Sequence, residues 1–271
     1  MNQGWKVGGL GIGLALIAGV TLSAAAPERW SRDWCEQRWQ TGSEHACEVR
    51  EVALARRPEV LHVDPGENGG VEVAAGSGPG IVVHAKVEAW APSEAAARAL
   101  IAQVRVTTDA GRLGAEGPTA SAGHWGVSFR VEAPAEQSLD LRALNGPLGV
   151  YDMSGKMALE TENGPITIVG SGGEVLARAT NGPVSVRLSG HAWRGRGLDA
   201  RSVNGPASLS LPSVYDADLE YGTQNGPWAG VGSRVEVGRR SGFAHARLGK
   251  GGAALAITTE NGPFSMSRTS R

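Results

Sequence analysis

From residue 139 onward, apolar residues fall at every second position and the pattern restarts around one tripeptide. Asn-Gly-Pro begins at Asn145, Asn163, Asn181, Asn204, Asn225 and Asn261, with spacings of 18, 18, 23, 21 and 36 residues. Six residues before each Asn stand Leu139, Met157, Val175, Leu198, Leu219 and Leu255. Four before are Leu141, Leu159, Ala177, Ala200, Tyr221 and Ile257, and two before are Ala143, Thr161, Ala179, Ser202, Thr223 and Thr259. The positions between carry Asp140, Arg142, Glu160, Arg178, Asp199, Arg201 and Glu220. Because side chains alternate between the two faces of a strand, this period of two predicts strands with one buried face. Beyond each corner the phase restarts with Leu148, Ile166, Val184, Ala207, Trp228 and Phe264. Val150, Ile168, Val186, Leu209 and Met266 follow two positions later, where Gly230 is the exception.

Each repeat therefore reads as strand, Asn-Gly-Pro corner, strand, with a glycine such as Gly155 or Gly173 marking the next bend. The expected fold is all-β, a parallel β-solenoid of short coils over residues 138–267. Asn-Gly also starts hairpins, but proline has no N–H for a tight hairpin ladder, and like corners at a near-constant period suit coils laid on one another. The gap of 36 residues equals two periods. Ser241-Gly242-Phe243, followed by Ala244 to Leu248, reads as a decayed copy within it, making seven coils. Parity places the Asn side chains with the apolar columns, so a ladder of asparagines is expected at an inner corner, where it would satisfy buried amides. Glycine would supply the backbone angles there and proline the exit direction. A repeated turn is a structural feature before it is a set of ligand donors.

Residues 48–137 form a less regular β region. Asn68-Gly69-Gly70 and Ser77-Gly78-Pro79 resemble earlier corners, each followed by alternating valines and isoleucine. Ser93 to Val104 predicts one helix, with Ser93 as cap and an alanine-rich body, serving as a packed excursion or an end cap. Strands are expected at Val104–Thr108 and Trp125–Glu132.

At the N-terminus, Lys6 precedes an uncharged run over 7–26, with Ser23 and Ala25 as small residues before a cleavage point. Residues 1–25 read as a signal peptide, or else as an uncleaved anchor, since the run is long enough to span a bilayer. Residues 26–47 then form a Trp-rich segment holding both cysteines, Cys35 and Cys47, where an oxidising compartment would favour one local disulfide. Their spacing is not that of zinc ligands. A formal net charge of -1 offers no field to attract nucleic acid.

Chemistry is sparse. Asp216, Asp218 and Glu220 alternate, and are the best candidates for a calcium or catalytic cluster, although alternating acids are also what a solvated strand face carries. His84, His124, His191 and His245 lack metal-ligand spacing. No Gly-x-Ser-x-Gly elbow or phosphate loop sits between a strand and a helix. Trp30, Trp34 and Trp39 could stack a sugar, and more simply would pack against the first coil. From residue 229 onward seven Lys or Arg face only Glu236 and Glu260, which suits a charged end cap or an anionic glycan or lipid. No catalytic residue, metal site or cofactor is assigned.

The apolar N-terminus, Cys47-Glu48-Val49-Arg50-Glu51, Asn68-Gly69-Gly70-Val71 and the repeats from Asn145 to Asn261 together resemble the bacterial "putative adhesin" domain family over most of residues 47–267. The resemblance implies an exported β-solenoid of the periplasm or cell surface, with no catalytic residues to carry over. The expected function is a non-enzymatic structural, adhesion or protein-interaction solenoid with an envelope polysaccharide or a protein as partner, and no membrane contact beyond an uncleaved N-terminus. A polysaccharide-active β-helix lyase or hydrolase and a periplasmic stress or signalling component are the alternatives.

Overall fold

The computed structural model describes residues 34–36, 44–54, 56–119, 123–229 and 242–269. The segment expected to be a signal peptide or an anchor, Trp30 and Trp39 lie outside them. After a single 3-10 turn at Trp34–Glu36 come β1 (Glu44–Val52), β2 (Val60–Asp64), β3 (Val71–Ala75), β4 (Val82–Ala91), α1 (Glu94–Ile101), β5 (Arg105–Asp109), β6 (Arg112–Glu116) and β7 (His124–Ala133). The repeats follow as β8 (Ser138–Asn145), β9 (Leu148–Tyr151), β10 (Lys156–Asn163), β11 (Ile166–Val169), β12 (Glu174–Asn181), β13 (Val184–Arg187), β14 (Gly197–Asn204), β15 (Ala207–Pro212), β16 (Ala217–Thr223) and β17 (Trp228–Ala229). The chain closes with β18 (Gly242–Leu248), β19 (Ala254–Asn261) and β20 (Phe264–Thr269).

These strands form two ten-stranded sheets over one hydrophobic core. The first runs β1-β4-β7-β3-β9-β11-β13-β15-β20-β17, the second β18-β16-β19-β14-β12-β10-β8-β2-β6-β5. Each Asn-Gly-Pro repeat gives its longer strand to the second sheet and its shorter strand to the first, and like strands stack in parallel. The columns read in the sequence are the register: Leu139, Met157, Val175 and Leu198 are successive partners, as are Leu148, Ile166, Val184 and Ala207. All are buried, which explains why a one-residue slip is excluded: it would turn every apolar column to solvent.

The all-β class holds, and the sheets are mixed rather than uniformly parallel. Antiparallel pairs β1-β4, β4-β7, β5-β6 and β16-β18 occupy the ends. The C-terminal repeats depart from simple sequential stacking, and the expected seventh coil is corrected. Residues 242–248 are not a further coil, because β18 runs antiparallel along β16. The last repeat does not stack at the end either: β19 lies between β14 and β16, and β20 between β15 and β17. The order in space is therefore Asn204, Asn261, Asn225. Columns of like polarity let the last repeat pair in register with either neighbour. Bulk supports it, since Tyr221, Trp228 and Phe264 meet there with ring centroids 5.3 to 5.7 Å apart.

At the other end, Asn68-Gly69-Gly70 does form a corner beside Asn145: the Gly69 N–H donates to the Asn145 carbonyl at 3.1 Å, and β3 runs parallel to β9. Ser77-Gly78-Pro79 instead reverses the chain into β4, antiparallel to β7. The helix is shorter than 93–104, running from Glu94 to Ile101. Ser93 Oγ accepts from the Ala96 N–H at 3.2 Å, and Arg50 donates to the carbonyls of Ile101 and Val104 at the far end. Ala97 and Ile101 are its buried residues, and α1 packs on β1 and β4 at the sheet's end.

Candidate functional site

The six corner asparagines are brought into line, although not inside the core. All are exposed, and the amides form a continuous chain. Asn163 donates to Asn145 Oδ1 at 2.9 Å, Asn181 to Asn163 at 3.0 Å, Asn204 to Asn181 at 3.1 Å, Asn261 to Asn204 at 3.1 Å and Asn225 to Asn261 at 3.0 Å. Strand parity ends where the chain begins to turn, so extrapolating it to Asn fails by one corner. The buried polar role belongs to the residue two positions earlier: Thr161, Ser202, Thr223 and Thr259 are buried and donate to glycine carbonyls of adjoining corners at 2.7 to 3.1 Å. The glycines of the six Asn-Gly-Pro corners have no positive φ. They are required by closeness instead, since a Cβ on Gly182 would stand 2.1 Å from the Gly164 carbonyl oxygen.

Alternation leaves the polar half of β10, β12, β14, β19, β16 and β18 on the outer face of the second sheet. A trough of about 840 Å³ opens there, lined by Gly197 and the short side chains of Ala158, Ala254 and Ala256. Ion pairs stand around it. Glu174 meets Lys156 at 3.3 Å and Arg196 at 3.4 Å; Asp199 meets Arg178 at 2.6 Å and Arg201 at 2.8 Å; Asp218 meets Arg247 at 3.0 Å. Glu220 lies opposite His245 in the pairing of β16 with β18. Leu176 and Phe243 are exposed on this face, at 47% and 43%.

The electrostatics favour fixed charge over proton transfer. Partial burial of Asp199 opposes its ionisation, but the hydrogen bonds and charges of Arg178 and Arg201 outweigh that and hold its carboxyl below the usual carboxylate value. The Arg247 hydrogen bond, with the Gly252 N–H, does the same for Asp218. A glycosidase acid needs the opposite shift. Asp216, Asp218 and Glu220 do not converge as a calcium cluster: Asp216 accepts the Lys250 N–H at 2.9 Å and Asp218 is paired. Among the described residues no group of three His, Cys, Asp or Glu could hold a metal ion.

Cys35 and Cys47 are bonded, with a Cα–Cα distance of 5.7 Å, and pin the 3-10 turn to β1. Trp34 thereby covers a charged patch rather than an apolar one, with the Arg130 guanidinium 4.0 Å and the Lys86 ammonium 5.4 Å from its ring. Beneath it Lys86 pairs with Glu88 at 2.7 Å, Glu88 meets His45 at 3.3 Å and Arg130 pairs with Glu72 at 3.1 Å. Nothing in the sequence spacing marks this patch, because its members come from five separate segments. His62 pairs with Asp140 at 2.9 Å, and Trp193 is buried, donating to the Gly173 carbonyl at 3.0 Å. No helix among the described residues is long and apolar enough to cross a membrane.

No family model matches the chain, and no curated protein matches it. Among solved structures it is similar to a "putative cell adhesion protein" from Clostridium sporogenes, at 12% identity over 83% of this chain and 100% of that one, with a TM-score of 0.36. A "putative adhesin" from Bacteroides fragilis (10% identity, TM-score 0.26) and a "putative lipid binding protein" from Parabacteroides distasonis (9% identity, TM-score 0.26) are each covered to 97% by 83% of this chain. Likenesses at this distance assign no function to the chain.

Proposed function

We propose that this chain is an exported, non-enzymatic β-solenoid of the bacterial cell envelope or surface, which binds an extended polar chain, a glycan, across the outer face of its second sheet. The observation that carries the reading is the trough over Gly197, Ala254 and Ala256 with its rim of paired Arg, Lys, Asp and Glu. Held in mutual pairs, these groups present fixed donors and acceptors at nearly balanced charge, which suits the hydroxyl groups of a sugar chain more than a polyanion. The parallel stacking of the repeats supports the solenoid, and the Cys35–Cys47 bond supports an oxidising compartment. Held ionised by their Arg partners, Asp199 and Asp218 are poor proton donors, which supports a binding role over that of a glycosidase acid.

The test is retention of the oxidised full-length chain on immobilised envelope polysaccharides, with the eluate assayed for released sugar fragments. The expected result is retention without fragments, weakened in an Ala256→Arg variant that fills the trough. Retention on none of the polysaccharides would overturn the glycan reading, and fragments would put a lyase or hydrolase in its place.

A further inference from the structure

The out-of-order position of the last repeat has a mechanical basis. β18 pairs with one edge of β16 and β19 with the other, so the segment joining them must cross the start of β16. It is tied down where it crosses. The Lys250 N–H donates to Asp216 Oδ1 at 2.9 Å, the Gly252 N–H to Asp218 Oδ2 at 3.3 Å and Arg247 Nε to Asp218 Oδ1 at 3.0 Å, while the Asp218 N–H donates to the Ala253 carbonyl at 3.1 Å. The acidic pair is thus the anchor of a saddle over β16.

The slot that receives the last repeat is made of ordinary repeat surfaces. On one side Leu198, Ala200, Ser202 and Asn204 meet Leu255, Ile257, Thr259 and Asn261; on the other, Leu219, Tyr221 and Thr223 meet Leu255, Ile257 and Thr259. The corner bonds, Thr259 to the Gly205 carbonyl and Thr223 to the Gly262 carbonyl, each at 2.7 Å, repeat those of the other corners. None of these contacts depends on which molecule supplies residues 254–269, because every copy of the chain carries both the slot and the segment that fills it.

We propose that the last repeat is an exchangeable plug, kept in its own molecule by the Asp216–Asp218 saddle, and that its partner surface is the same slot in a second copy of this chain. Reciprocal exchange rebuilds every inter-repeat contact, so a closed dimer costs association entropy and the bonds of the saddle, which hold residues 247–253 over β16 of their own molecule. This does not depend on glycan binding.

The test uses Ser210→Cys and Ser267→Cys, made separately in the full-length chain. The two serines are partners across β15 and β20, one half-buried and the other exposed on the outer side. Neighbouring strands about 4.8 Å apart suit a disulfide. The two variants are unfolded without reductant, refolded together at high concentration, oxidised and mapped by peptide mass. The expected product links position 210 of one chain to position 267 of another. In a control chain carrying both substitutions the bond should close internally. If it does so while the mixture gives no link between chains, exchange is overturned. If the control closes no bond, the last repeat is not in its slot, and the proposal falls on that ground. Adding Asp216→Asn with Asp218→Asn should raise the interchain share, and an unchanged share would remove the saddle from the mechanism.

Discussion

At the scale of single residues, the corners are governed by how closely two backbones approach. Gly146, Gly164, Gly182, Gly205 and Gly262 each face the carbonyl of a neighbouring corner at a distance no Cβ could share. Replacing Gly182 by Ala therefore has no torsional remedy, and the stacked corners must separate on one side. Overpacking of this kind costs about 1 to 3 kcal/mol, and urea unfolding of Gly182→Ala should show a midpoint lowered accordingly. An unchanged midpoint would mean that the corners are less tightly stacked than their carbonyl contacts indicate. The exposed asparagine chain and the buried Thr and Ser hydroxyls divide the remaining polar work. One ties corners together in water, and the other satisfies carbonyls inside.

At the scale of elements, adjoining strands of the second sheet are tied by charge as well as by backbone. Asp199 on β14 joins Arg178 on β12 to Arg201 on its own strand. Its carboxyl is held below the unfolded value, which is near 3.9. A group whose folded pKa is depressed binds fewer protons when folded, so its contribution is complete above the unfolded pKa and lost as pH falls through the folded one. Acid titration should accordingly lower stability below about pH 4, and Asp199→Asn should flatten that part of the profile while lowering stability at neutral pH. An identical acid limb in wild type and variant would show that the pair adds nothing to folding. The 3-10 turn at the other end is held by a covalent bond and by Trp34 over Arg130 and Lys86, which keeps charged residues of β4 and β7 out of water.

At the scale of the whole molecule, two sheets share one core, and the inserted repeat touches a neighbour on each side of both sheets. Leu255 is 1% exposed, with Leu198 and Leu219 as its partners. Truncation to Ala should cost about 2 to 5 kcal/mol. The loss should appear in one cooperative thermal transition rather than as early melting of the C-terminal repeat, because removing that repeat exposes the β14 and β16 edges together. A separate low-temperature transition in Leu255→Ala, read by calorimetry, would show that the terminal repeats fold as a unit of their own.

By itself the sequence determined the alternation, the all-β class, the positions of the Asn-Gly-Pro corners, the helix with its Ser93 cap and the register of every Asn-Gly-Pro repeat. These are local consequences of burying one side of a strand, and an apolar column admits only one phase. What only the tertiary structure decided is who neighbours whom. Columns alike in every repeat fit any other repeat equally, so the spacing of 36 residues could not show that residues 242–248 turn back along β16 or that the last repeat slides in before Asn225. Nor could parity follow the chain around a corner, which is why Asn181 faces water. The trough and the Trp34 patch were hidden for the same reason: they draw on strands remote in sequence, and their chemistry exists only once pairing has set those strands side by side.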